Sequence, residues 1–169
     1  MSLVPPSLAP LFREAGWHSG RRTAVADGIP RGHPAHALFA ELGGLALHRG
    51  GSELIGFRLS AFADDARAAA WERELGTLMV CIAETENAHA TLYLDTLGRC
   101  FANSLIHPCF SYGGGSFGEA LERLLSRRRF RPMLLEDEEE VRFYGETLTR
   151  ADGEVMTAAD FETPAGRRG

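Results

Sequence analysis

The chain of 169 residues contains no lysine: all 18 of its basic residues are arginine. That absence closes off the lysine-dependent phosphate loop, Schiff-base and pyridoxal chemistry, and any lysine general base. Cysteine is scarce, and the three present (Cys81, Cys100 and Cys109) are an odd number, which argues against a disulfide framework. No C-x-x-C pair occurs, and none of the six histidines is followed by x-Glu, so the zinc deaminase signature is missing. No apolar run approaches the ~20 residues of a membrane span. The opening MSLVPPSLAPLFREAGW lacks the basic start and continuous apolar stretch of a signal peptide, so the expected location is the cytoplasm.

What is present is ordinary globular material, 44% hydrophobic and 24% charged. The net charge of −5 is unevenly spread: residues 1–59 carry +2, 60–110 carry −4, 111–131 carry +3 and 132–169 carry −6. An acidic chain is a poor general nucleic-acid binder, since that affinity comes from neutralising phosphates, but it suits a basic partner.

Patterning gives an α+β fold class with a single domain over 5–131 and an acidic extension over 132–169, its last dozen residues disordered. Helices are expected at 7–15, from Pro34 to Leu42, at 65–75, and from the S-x-x-E capping box Ser116–Glu119 onward. Strands are expected at 45–48, 53–59, 77–84, 89–95 and 99–103, with Thr96-Leu97-Gly98 as a tight hairpin turn. Residues 107–115 read as a Gly-rich loop, and Val141, Tyr144 and Leu148 as a weak helical pattern.

Few side chains suggest chemistry. Cys109 has His107 two residues away, but a thiol nucleophile also needs an orienting group. His33 and His36 are three apart with Pro34 between them, which favours a helix start over a metal pair. Gly113-Gly114-Gly115-Ser116 could cradle an anion, yet the capping box already accounts for Ser116. No metal site and no cofactor is expected. The Arg127–Arg131 cluster and the acids at 136–140 read as a helix terminus and a solvated, partly self-neutralising segment.

Read in order, the pieces carry a resemblance. Ala15-Gly16-Trp17 is followed by Gly20-Arg21, and a second helix ends in FAELGGL with Gly43 and Gly44. Then come Leu75-Gly76, a strand closing on Glu84, the hairpin LDTLGR with Gly98, and SFGEAL from Ser116. Over residues 8–126 this succession resembles the SUKH superfamily, in the branch known as the third SUKH immunity-protein family. The resemblance implies a mainly antiparallel sheet packed against helices. It also implies a bacterial immunity protein that neutralises a toxin domain encoded next to it, often nucleic-acid-directed, by binding and without catalysis. Three features depart from the pattern: a short linker at 22–33, Ala83 where a Gly commonly stands, and the acidic extension.

On this reading Gly16, Trp17, Gly20, Arg21, Gly43, Gly44 and Gly98 specify the fold, and the partner surface lies elsewhere. The −4 segment is the expected surface, with Glu84, Glu86 and Asp95 steering a basic toxin and Tyr93 and Tyr112 as anchors. An interaction adaptor outside a toxin system is the alternative. Neither role calls for nucleic acid or a membrane as partner.

Overall fold

The computed structural model describes residues 3–49, 52–59, 65–85 and 89–161. Seven strands form one antiparallel sheet in strict chain order: β1 (Ala46–Arg49), β2 (Ser52–Gly56), β3 (Met79–Thr85), β4 (Ala90–Asp95), β5 (Cys100–Ser104), β6 (Cys109–Gly114) and β7 (Arg131–Met133). Among the described residues four α-helices accompany it: α1 (Ala9–Glu14), α2 (Pro34–Leu42), α3 (Ala66–Leu75) and α4 (Phe117–Leu125). A hairpin of β8 (Glu140–Phe143) and β9 (Glu146–Thr149) forms a second small sheet. The class is α+β, as the patterning implied.

Both faces of the large sheet are covered, which is why β3 is apolar almost throughout instead of alternating. On one face Phe12, Leu38, Leu42 and Leu121 of the helices pack with Leu47, Ile55, Ile82 and Leu92. On the other, Ala68 and Trp71 of α3 pack with Cys81, Tyr93, Phe101 and Phe110. A bulge in β3 between Cys81 and Ala83 lets the sequence neighbours Ile82 and Ala83 both join the first core.

Local chemistry sets the helix ends. The His33 ring caps α2: Nδ1 accepts from the Ala35 N–H (3.1 Å), and the buried ring also meets the Leu78 carbonyl through Nε2 (3.2 Å). Asp65 caps α3 by accepting from the Arg67 N–H (2.6 Å), and its other oxygen is hydrogen-bonded by the Asn103 side-chain amide of β5. Ser116 caps α4, accepting from the Glu119 N–H (3.2 Å), while the Glu119 carboxylate accepts from the Gly115 N–H (2.9 Å).

Three expectations need correction. Residues 107–115 are not a loop, because Cys109–Gly114 form β6. Glycine there serves packing: a Cβ on Gly113 would lie 2.6 Å from the Phe130 ring and 3.0 Å from Ala120 of α4. Residues 141–148 are not helical. Val141 and Phe143 alternate into a small core, and Tyr144 and Gly145, both at positive φ (49° and 85°), make the two-residue turn that hairpins favour. The boundary placed between 131 and 132 falls inside β7. Beyond it, Leu134, Val141, Phe143, Leu148 and Val155 build a third core with Cys109, and Met156 bridges to Met133. Residues 132–161 are therefore part of the fold. Of the stretch expected to be disordered, Ala158–Phe161 form a short 3-10 helix, and 162–169 lie outside the described residues.

Candidate functional site

Of the partner-facing residues expected between 84 and 95, Glu84, Tyr93 and Asp95 are buried. Glu84 is buried and ion-paired, its Oε2 taking two bonds from the Arg58 guanidinium (2.9 and 2.5 Å). Arg58 also holds Glu53 (2.7 Å), and these bonds keep the Glu53 carboxyl below its ordinary pKa. Asp95 is wholly buried at the β4–β5 turn. Its Oδ1 accepts from the Leu97 and Arg99 N–H groups (3.0 and 2.8 Å), and its Oδ2 from Arg99 Nε (2.6 Å). Tyr93 is buried against the Phe110 ring (5.9 Å), and burial pushes its hydroxyl up to about 12. Tyr112 is half-buried and packs edge-on to Phe161 (5.0 Å); burial raises its pKa as well. Glu86 lies outside the described residues. Buried groups already paired inside the protein cannot steer a partner, so Glu84 and Asp95 are not steering charges, and the buried Tyr93 is not an exposed anchor.

The motif residues hold the fold. Trp17 is buried and donates its indole N–H to Glu41 (3.0 Å). Arg21 donates to the carbonyls of Glu41 (2.6 Å) and Gly43 (2.9 Å), tying the 17–32 loop to the end of α2. Gly16, Gly20, Gly44 and Gly98 all have positive φ, and a Cβ at Gly43 would sit 2.5 Å from the Phe39 carbonyl oxygen.

The other candidates are also structural. Cys81, Cys100 and Cys109 are all buried, and none of them forms a disulfide among the described residues. The Cys109 thiol donates to the Phe110 carbonyl (3.4 Å), not to an imidazole, and burial pushes it up to about 12 against the pull of Arg67. The Gly-rich turn before α4 already holds an anion, the Glu119 carboxylate. Among the described residues no cluster of three or more His, Cys, Asp or Glu side chains could hold a metal ion. None of their helices is long and apolar enough to cross a membrane.

What the sequence did not reveal is a cleft of about 260 Å³ on the helix-covered face that α1, α2 and α4 share. Register builds its floor in two cross-strand rows: Leu92, Ala102 and Ser111, then Ala90, Ser104 and Cys109, with Thr85 beside Ala90. All but Leu92 are small, which leaves the space. The walls come from Leu124 of α4, from Arg128 and Phe130 in the segment that follows it, and from the β8–β9 hairpin (Arg142, Phe143, Tyr144). Ile106 and His107 are added by the β5–β6 turn, and His89 by the residue preceding β4. These residues converge from four separate segments and share no motif. Their only signals in the sequence are the small residues at alternate positions of β4–β6 and the Tyr-Gly turn.

The chain matches no protein-family model, no curated protein and no solved structure. Fold and site together define a class: an α+β protein whose meander sheet carries helices on both faces and a cleft beside the β8–β9 hairpin.

Proposed function

We propose that this chain is a cytoplasmic immunity protein of the SUKH type, which neutralises a cognate bacterial toxin domain by stoichiometric binding. One observation carries the reading. The residues of the motif succession (Gly16, Trp17, Arg21, Gly43, Gly44, Gly98) occupy loop-tying and turn positions, as the resemblance implies for residues that specify a fold and leave the surface to a partner.

Charge indicates where that partner would sit. Glu136, Asp137 and Glu139 are exposed on the connection between β7 and β8, and Glu140 is exposed at the start of β8. This connection is fixed in place: Arg67 pairs with Glu138 (2.9 Å), and Arg150 donates to the carbonyls of Leu135, Glu136 and Glu138 (2.6, 2.6 and 3.2 Å). A rigid anionic loop steers a basic domain without the ordering cost of a disordered tail.

The test is co-expression with the C-terminal domain encoded by the adjacent gene, read by growth and by co-purification. A one-to-one complex with rescue is expected. In the double variant Glu139→Arg/Glu140→Arg, association should slow by about tenfold at low salt and by less at high salt. A toxic neighbour that is neither bound nor neutralised would move the assignment to an adaptor role.

A further inference from the structure

The cleft has a chemical character of its own, independent of any toxin. In a chain with 23 acidic residues, none of the described residues lining it is acidic, while His89, His107, Arg128 and Arg142 all line it. Among the described residues Arg142 forms no ion pair, and the only bond of the Arg128 guanidinium is from Nε to the Ser126 hydroxyl (3.0 Å). Two arginines are thus left with free donors beside a shared cavity. At the negative end of α4 the Leu124 and Arg123 carbonyls are already taken by the Arg127 and Arg128 N–H groups (3.1 and 2.9 Å).

Beneath the cations the surface is apolar. Leu124, Phe130 and Phe143 surround a floor of Leu92 and small residues, and Ile106 stands exposed at the rim. Of the floor hydroxyls, Ser111 and Thr85 donate to backbone carbonyls, while Ser104 accepts from the Ile106 and His107 N–H groups and keeps its own O–H as a donor. The floor therefore offers mainly area and shape with one neutral donor, the Ser104 hydroxyl, and the cationic donors for a ligand come from the two arginine side chains. A pocket that is apolar below and cationic above matches one kind of molecule.

We infer that the cleft binds a small organic carboxylate, its apolar body on the Leu92–Ala102 floor and its carboxylate between Arg128 and Arg142. The volume suits a body of about one aromatic ring with a short side chain. The probe is 3-phenylpropanoate, with the neutral 3-phenylpropanamide as its isostere, titrated into the full chain and followed by amide chemical shifts.

The carboxylate is expected to bind at about millimolar affinity, shifting the signals of Ala90, Ala102 and Ser104, and the amide to bind about tenfold more weakly. Arg142→Ala, an exposed substitution, should remove most of that difference while leaving amide binding unchanged. Ala102→Leu should fill the floor and abolish binding of both probes. If that variant is misfolded, Ser104→Leu makes the same test from the neighbouring row. Equal affinity for carboxylate and amide overturns the assignment, as does an absence of shifts at the floor residues with 10 mM carboxylate. Because the probes are free small molecules, these outcomes do not depend on whether a toxin partner exists.

Discussion

Asp95 carries the argument at the scale of single residues. In the sequence it is one acid among seven in a segment of net charge −4, and an acid before a turn reads equally well as solvated. The deciding neighbour is Arg99, four positions on, which folds back across the turn and brings the carboxylate inside with three donors around it. Asp95→Ala would leave the Arg99 charge and two backbone N–H groups without their acceptor. Breaking a buried pair of this kind costs about 3 kcal/mol. Asp95→Asn retains the backbone acceptor and should cost about half as much. Urea denaturation of both variants checks this; equal losses would mean that charge, not turn geometry, dominates. The same lesson covers Glu84, whose partner Arg58 is 26 residues away and could not be paired with it from the sequence. Trp17 differs, because its place directly after a helix already indicated a core residue.

Elements were legible where their signals were local. The capping box of α4, the Pro34 start of α2 and the Gly98 turn each act within four residues, and each stands where patterning placed it. β6 and the β8–β9 hairpin were missed because their determinants are tertiary. Gly113 is small to admit Phe130, and Val141, Phe143 and Leu148 face a core that exists only once β7 has docked. The cleft was invisible for the same reason, since it is the space left where small residues of three strands fall into register.

The end of α4 yields a prediction. Arg127 takes the left-handed conformation (φ 56°) at the position where helices favour glycine, and the Arg127 and Arg128 N–H groups close the terminal loop onto Leu124 and Arg123. A non-glycine residue is strained there, so Arg127→Gly should raise stability by about 1 kcal/mol. The readout is a higher urea midpoint with an unchanged slope. No gain would mean that the arginine side chain offsets the strain.

For the whole molecule, ion-paired and buried ionisable groups make stability depend on pH at both ends. On the acid side, Arg58 holds the Glu53 carboxyl below its ordinary 4.5, so the stability it contributes is present above that value and is lost as pH falls through the lower native value. On the alkaline side, burial pushes Cys100 and Cys109 from an ordinary 9.0 up to about 12. Below 9 both native and unfolded thiols are protonated and the contribution is complete. Between 9 and 12 only the unfolded thiols ionise, so the unfolded state binds fewer protons and stability falls by roughly 1 kcal/mol per pH unit for each thiol. Cys100 and Cys109 sit in different cores, so their effects should add. Denaturation at pH 8 and pH 10 should therefore show a steep loss in the native chain, a shallower one in Cys100→Ala, and the shallowest in the double variant with Cys109→Ala. Equal slopes in all three would place the alkaline transition on groups other than these thiols, and would remove burial as the reason the thiols stay neutral.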